Sequence, residues 1–118
     1  MLKTAIAAGF ATCLTWAGAM AADIGGTYDV RGTNFDGSRY GGTAKITITS
    51  GNTCRIVWDT GSIAAGICMR NGPAFAASYV MGNSVGLVIY RLLENGSLEG
   101  LWTIADTDGV GTELLVPR

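Results

Sequence analysis

The chain has 118 residues, a formal net charge of −1 and no histidine. Its basic residues do not cluster, so we do not expect nucleic-acid binding, because phosphate recognition needs several basic contacts on one face. The absence of histidine also removes the usual base for a serine or cysteine nucleophile. These features predict a protein that is not an enzyme and that carries no cofactor.

The N-terminal segment has the pattern of a secretory signal peptide. A short positive start is followed by a mostly small and apolar stretch up to residue 18, and the Ala-Met-Ala triplet that ends at residue 21 matches the pattern read by signal peptidase. The apolar stretch is too short for a spanning helix, so no membrane span is expected. We predict a signal peptide over residues 1–21, one domain over 22–118, and a periplasmic or secreted location.

Turn sequences rich in Asn, Asp and Gly recur at short intervals through the rest of the chain. They separate eight β-prone segments, and no segment between them has helical periodicity. We therefore predict an all-β, eight-stranded antiparallel up-and-down barrel, because closure removes the exposed sheet edges; a two-sheet sandwich is the alternative. The predicted strands cover residues 27–32, 42–49, 53–59, 66–70, 74–80, 84–91, 97–105 and 112–117.

Alternation of apolar and polar residues predicts which side chains face the interior. The predicted inward sets are Tyr28 and Val30; Ala44, Ile46 and Ile48; Ile56 and Trp58; Phe75, Ala77 and Tyr79; Val85, Leu87 and Ile89; and Leu98, Trp102 and Ile104.

Two cysteines, Cys54 and Cys68, remain once the predicted signal peptide is removed with Cys13. A zinc site needs more ligands and a redox pair is normally Cys-x-x-Cys, so we predict a disulfide in an oxidising compartment. If the turn between them centres near Gly61, the two cysteines face each other across one hairpin. Such a bridge closes a loop of about 15 residues and contributes about 3 kcal/mol in the chain-entropy model.

Two motifs carry a resemblance to a known group. GTYDVRGTNFDGSRYGG from residue 26 and NGSLEGLW from residue 95 resemble small exported bacterial proteins, some of them labelled fibronectin-binding. In that group the pattern is G-T-Y-x-V-x-G-x-N-P-D-G-S-x-Y-x-G, followed later by D-G-x-L-x-G-x-W. Here Phe35 stands in place of the proline and Asn95 in place of the aspartate. The layout is also similar in outline to calycin-type barrels, so the resemblance implies the fold more than a function.

The aromatic residues of the inward sets either fill the core or line a ligand pocket. The pocket candidates are Tyr28, Trp58, Tyr79 and Trp102. The stretch Asp106-x-Asp108-Gly109 begins like a calcium loop, but its twelfth position is Pro117 rather than an acidic residue. We therefore expect a structural turn there and no metal site.

Some apolar residues fall at positions that the alternation assigns to the outside of the barrel. They predict either an exposed apolar band that contacts a partner, or a bulge near Gly66 that exchanges the inward and outward positions of the fourth strand. Phe35 is predicted to add an exposed aromatic at a loop tip. The candidate partner surface consists of Phe35, Val57, Ile67 and Met69, with Val88, Tyr90 and Leu101 as further outward candidates.

The leading functional hypothesis is an exported, non-enzymatic binding protein that engages a protein partner through this surface, with a homo-oligomer left open. One alternative is a periplasmic hydrolase inhibitor that inserts the loop at 34–38, with Phe35 at its tip. The other is a carrier of a small apolar ligand inside the barrel. A filled interior with an outer apolar band favours the surface binder, whereas an empty, accessible cavity favours the carrier.

Overall fold

The computed structural model describes residues 24–118, so the predicted signal peptide lies outside the described residues. Eight antiparallel strands follow one another around a closed barrel, as predicted. The strands are β1 Gly26–Thr33, β2 Arg39–Ile48, β3 Thr53–Asp59, β4 Ile63–Asn71, β5 Ala74–Met81, β6 Ser84–Leu92, β7 Leu98–Ile104 and β8 Gly111–Pro117.

Pairing of the first strand with the last closes the barrel and excludes the sandwich. Val30 of β1 lies opposite Leu115 of β8, and each remaining strand pairs with its neighbour in the chain. Tight turns make this possible. Gly61 and Gly82, for example, adopt φ values of 96° and 60°, which favour glycine because it has no Cβ.

The turns divide the barrel into two ends that differ in their filling. We call the end with the β2–β3, β4–β5 and β6–β7 turns the closed end, and the end with the β1–β2, β3–β4, β5–β6 and β7–β8 turns the open end. Phe75 and Tyr90 pack together inside, with ring centroids 5.7 Å apart. The largest fully buried side chains are Tyr28, Ile46, Ile56, Val88, Leu98 and Leu115.

Cys54 and Cys68 form the predicted link between β3 and β4. They are directly paired in the register, their Cα atoms are 4.9 Å apart, and their sulfur atoms lie within bonding distance at 2.12 Å. Both side chains point inward and are buried. The bridge therefore joins neighbouring strands on the core side, where a covalent link adds to a modest core.

The predicted inward phase of β6 is wrong. Val85, Leu87 and Ile89 are outward and 54%, 51% and 57% exposed, whereas Val88 and Tyr90 point inward and are buried. Both phases of this strand are apolar, so alternation alone could not distinguish them. The pairing of β6 with β5 determines which side chains of β6 face inward, because directly paired residues lie on the same side of the sheet. Ile89 is paired with the outward Ala76, and Tyr90 with the inward Phe75.

Ile48 was also predicted inside but is 47% exposed. It is the last residue of β2, and its side chain lies beside Gly25 at the margin of the barrel. The phase of β2 is otherwise as predicted, since Ala44 and Ile46 are buried. The error therefore concerns the end of the strand, where the interior no longer covers the side chain.

An apolar band covers the outer surface of four neighbouring strands, and we call it the outer face. The alternative of a bulge near Gly66 is excluded, because the β3–β4 register is continuous from Thr53 to Asp59. Of the further outward candidates, Leu101 is outward whereas Val88 and Tyr90 are not. The outer face consists of Ile67, Met69, Val80, Val85, Leu87, Ile89 and Leu101, continued onto β3 by Val57, and each is 44–63% exposed.

Candidate ligand cavity

A cavity of about 360 Å³ occupies the open end of the barrel. Its wall is mostly apolar and aromatic, with a few polar groups at the rim and one carboxylate. It is lined by Asn34, Tyr40, Trp58, Thr60, Ser62, Ala64, Tyr79, Met81, Val88, Trp102, Ile104 and Glu113. An eight-stranded barrel has an interior that side chains can fill or that can hold one small ligand. This barrel combines a filled end with a hollow one.

Glu113 is the acidic group of the cavity and is only 7% exposed. Its Oε1 atom accepts a hydrogen bond from the Tyr40 hydroxyl at 2.7 Å. Its Oε2 atom accepts one from the Trp58 indole N–H at 2.9 Å and a further one from the Tyr90 hydroxyl. Three donors therefore satisfy a buried group that would otherwise destabilise the fold.

The strand register explains how two tyrosines reach Glu113 from opposite sides. Across β6, β7, β8, β1 and β2, one row of paired residues reads Tyr90, Gly100, Glu113, Gly32 and Tyr40. A Cβ added to Gly32 would lie 2.1 Å from the Tyr40 ring, and one added to Gly100 would lie 2.5 Å from the Tyr90 ring. The two rings thus lie flat over the glycines and extend toward the carboxylate between them.

Nearer the rim, two further aromatic rings lie over glycines of the adjacent strand. The Tyr79 ring lies over its cross-strand neighbour Gly86, and the Trp102 ring lies over Gly111, with hypothetical Cβ contacts of 2.0 and 2.2 Å. Hydrogen bonds fix both side chains, because the Tyr79 hydroxyl donates to the Thr103 carbonyl and the Trp102 indole N–H donates to a carbonyl of β8. Rings that lie against the wall leave the middle of the open end empty.

Burial and the charge of Glu113 keep the cavity phenols protonated. Burial is the larger cause and the carboxylate the second, and together they raise the pKa of Tyr79 to about 12. The same two causes, followed by the hydrogen bonds to Glu113, raise the pKa values of Tyr40 and Tyr90. At neutral pH all three residues are therefore neutral hydrogen-bond donors.

Phe35 forms part of the mouth of the barrel. Its ring stacks on Trp102 with centroids 4.7 Å apart, and it covers Gly109 of the β7–β8 turn. Its side chain is 40% exposed, so it is a partly covered ring and not a free tip. The β1–β2 turn that carries it is braced by Asp36, whose side chain accepts hydrogen bonds from Ser38.

Three of the four predicted pocket residues line the cavity: Trp58, Tyr79 and Trp102. Tyr28 does not line it, because this residue is 2% exposed and donates its hydroxyl hydrogen bond to the Ile24 carbonyl at 2.7 Å. It fills the core. Its inward phase was predicted correctly, but phase does not tell which end of the barrel a residue occupies.

Glu113 was missed as the polar centre of the cavity, together with Tyr40. Strand β8 has apolar residues at both its inward and its outward positions. The sequence therefore does not show on which side of the strand the Glu113 side chain lies. A usable signal was the pairing of aromatic residues with glycines across neighbouring strands, which marks rings that lie flat on the wall. Glu99, on the neighbouring strand β7, points outward and pairs with Arg91 at 3.5 Å.

Among residues 24–118, no three His, Cys, Asp or Glu side chains are grouped so that they could hold a metal ion. Asp106 takes a left-handed backbone conformation with φ of 65° in the β7–β8 turn. Within the same described part of the chain, no helix has the length and apolar character needed to span a membrane.

Fold and site together define the class: an eight-stranded up-and-down β-barrel with a cavity at one end. No family model matches the chain, and no curated protein matches it. Similar solved structures include a de novo designed fluorescence-activating β-barrel (14% identity, 83% of this chain and 96% of that one) and a redesigned β-barrel (19%, 83% and 94%). A third, the redesigned β-barrel mFAP1 bound to DFHBI, is 20% identical over 80% of this chain and 96% of that one. Each has a TM-score of 0.70, and at these identities the likeness is one of fold.

Proposed function

We propose that this protein is an exported, non-enzymatic carrier that binds a small amphipathic molecule in the cavity of its barrel. The observation that carries the proposal is the cavity of about 360 Å³ at the open end. Ligand sites of this size are typically concave and mostly apolar, with a few polar groups that fix the orientation of the ligand. Glu113 and the cavity phenols are such groups.

The hydrogen bonds of Glu113 favour binding over catalysis. Both carboxylate oxygens already accept bonds from protein donors, which hold the group in place. The tyrosines that contact it have raised pKa values and therefore do not supply a phenolate nucleophile at neutral pH. A fixed, preorganised wall is well suited to holding a ligand, because little side-chain entropy is lost when the ligand enters.

A matched pair of variants on β4 tests the cavity. Ala64 is buried and lines the cavity, whereas Ala65, the next residue, is outward and exposed. Ala64→Phe should fill the cavity and Ala65→Phe should not. The probe is 2-naphthylmethanol, and the readout is the shift of the indole N–H signals of Trp58 and Trp102 in NMR spectra, since both rings line the cavity.

We expect 2-naphthylmethanol to shift both indole signals of the wild type and of Ala65→Phe with saturable binding. Ala64→Phe should abolish the saturable shifts while it keeps the dispersed spectrum of a folded barrel. If the probe binds Ala64→Phe as well as the wild type, or if neither the probe nor a charged analogue of the same shape shifts the indole signals of the wild type, the carrier proposal is wrong.

The outer face favours a second candidate function, and for it we propose a second copy of this chain as the partner. A continuous apolar band of this kind on a soluble protein is typical of an interaction surface. The charged residues lie at the margins of this face, with Arg91 paired to Glu99 on one side and Arg55 opposite Ile67 on the other. Its middle is uncharged, so the middle of an identical face can pack against it. A two-fold dimer would pack the same patch of both copies together.

Sedimentation velocity tests the dimer. We expect the wild type to dimerise reversibly and Leu87→Lys, in the middle of the outer face, to be monomeric. Thr27→Lys, on an exposed position of β1, which is not adjacent to any strand of the outer face, is the control and should dimerise as the wild type does. A wild type that stays monomeric at high micromolar concentration refutes self-association, whether or not another protein binds there.

The hydrolase-inhibitor hypothesis loses the feature on which it rested. It required a protruding loop with Phe35 at its tip, and this side chain instead stacks on Trp102 at the mouth of the barrel. Its position suits a role in covering the ligand entrance.

A further inference from the structure

The wall of the cavity also selects the charge of its ligand, an inference that rests on the proposed carrier function. Of the twelve lining residues, which all belong to the described chain, one is acidic and none is Lys or Arg. The hydrogen-bond partners of Glu113 are two phenols and an indole, which are neutral. Within this cavity the negative charge of the carboxylate is therefore held but not neutralised.

The aromatic rings of the wall add to this preference. Trp58 and Tyr79 meet at 65° with centroids 5.4 Å apart, and Tyr40 and Trp102 meet at 78° and 6.1 Å. All four rings line the cavity, so aromatic side chains form much of its wall. The face of an aromatic ring is electron-rich and attracts a cation, most strongly for Trp and most of all where water is excluded.

The carboxylate keeps room for one further donor. An ionised carboxylate has about four lone-pair positions, and the protein donors take one on Oε1 and two on Oε2. The remaining position on Oε1 can accept an N–H of a ligand. An anionic ligand would meet the opposite situation, because no cationic side chain in the cavity wall would pair with its charge.

We propose that the ligand is an organic monocation, with one ammonium group directed at Glu113 and an apolar or aromatic body against Trp58, Tyr79 and Trp102. The carboxylate pairs with the charge, and two electron-rich rings lie close to it, because Trp58 donates to Glu113 and Tyr79 packs against Trp58. The apolar remainder of the wall, including Val88 and Ile104, takes the uncharged part of the molecule.

Isothermal titration calorimetry with three probes of one shape tests the inference. The probes are 2-naphthylmethylamine, a cation at neutral pH, uncharged 2-naphthylmethanol, and the anion 2-naphthoate. We expect the amine to bind at least about tenfold more tightly than the alcohol, since ring faces and a carboxylate both favour it. The naphthoate should show no saturable heat.

Two variants assign the preference to its sources. Glu113→Gln should reduce the amine-to-alcohol ratio of affinities by about tenfold, and the ratio is the measured quantity because the change can also alter the affinity for the alcohol. Tyr79→Leu leaves the three donors of Glu113 in place and removes a cavity ring on which no other ring is stacked, so it should weaken the amine more than the alcohol. It supplies the test if Glu113→Gln does not fold. Unchanged ratios in the folded variants would overturn the assignment.

The outcomes separate this inference from the carrier function. If the alcohol binds as tightly as the amine, or if the naphthoate binds best, the cavity is a ligand site but not one for cations. If none of the three probes binds, the carrier proposal fails and the inference fails with it.

Discussion

Replacement of Glu113 by glutamine should lower the free energy of unfolding by about 2–3 kcal/mol. Glutamine keeps the size of the side chain but replaces one acceptor oxygen with an NH₂ group that only donates. The amide oxygen can keep the bonds from Trp58 and Tyr90, and the NH₂ group then faces Tyr40, whose hydroxyl must change from donor to acceptor. A hydrogen bond to a charged group contributes about 1.5–3 kcal/mol and a neutral one about 0.5–1.5 kcal/mol, so the weakening of three charge-assisted bonds accounts for the expected loss.

The effect is large relative to the stability of a domain of this size. Small domains are stable by about 5–15 kcal/mol in total, and each kcal/mol moves the melting temperature by about 4–8 °C. Urea unfolding followed by tryptophan fluorescence measures the change, with the disulfide kept oxidised. The slope of the transition should stay constant, since the same surface is exposed on unfolding.

Glu99→Gln is the matched control because it makes the same chemical change on the outer side of β7. Glu99 is 57% exposed and pairs with Arg91 at 3.5 Å, and exposed ion pairs of this kind contribute about 0–1 kcal/mol. The reasoning is refuted if Glu113→Gln unfolds within 0.5 kcal/mol of the wild type, or if the two variants lose equal stability.

Three further predictions concern the barrel. Alanine at both Cys54 and Cys68, which are 14 positions apart, should cost about 3 kcal/mol in urea unfolding, and a loss near zero would contradict the loop-entropy argument. Gly66→Ala should lower the free energy of unfolding by about 1–3 kcal/mol or more, because its Cβ would lie 1.6 Å from a carbonyl oxygen of β5. Gly51→Ala is the control: its Cβ would meet no atom within 4 Å, so its stability should stay within about 0.5 kcal/mol of the wild type in the same assay. Stability should fall as the pH rises from 10 to 12, because the pKa of Tyr79 is about 12 in the fold against 10.0 in the unfolded chain, so the unfolded state loses its proton first. Urea midpoints at pH 9, 10 and 11 measure this fall, which should be shallower in Tyr79→Phe.

The fold was predictable from the sequence because its signals are local. Asn-Gly, Asp-Gly and related turns divide the chain into strand-length segments, and strictly sequential strands leave few topologies other than a meander that closes. The link between Cys54 and Cys68 followed from the same local symmetry of one hairpin. These inferences needed no knowledge of how distant strands are aligned.

The predictions that were wrong concern features that depend on how neighbouring strands are aligned, which local sequence signals do not give. Leu87 was placed inside because β6 is apolar on both phases, and pairing with β5 turned it outward. Tyr28 was placed in the pocket because its phase is inward, but its position along the barrel puts it in the filled core. Glu113 could be recognised only once β8 was aligned with both β7 and β1.

One device connects the glycines, the aromatic residues and the cavity. Three of the four large rings that line the cavity lie across a glycine on a neighbouring strand: Tyr40 on Gly32, Tyr79 on Gly86 and Trp102 on Gly111. The fourth, Trp58, is paired with alanines on both sides. A side chain at the glycine position would push the ring off the wall and into the lumen. A glycine at this position leaves room for the ring to lie against the wall, and the middle of the barrel stays empty as a result. The same arrangement brings the hydroxyl groups of Tyr40 and Tyr90 to Glu113. The strand register that keeps the rings against the wall therefore also places a single carboxylate at the centre of that wall.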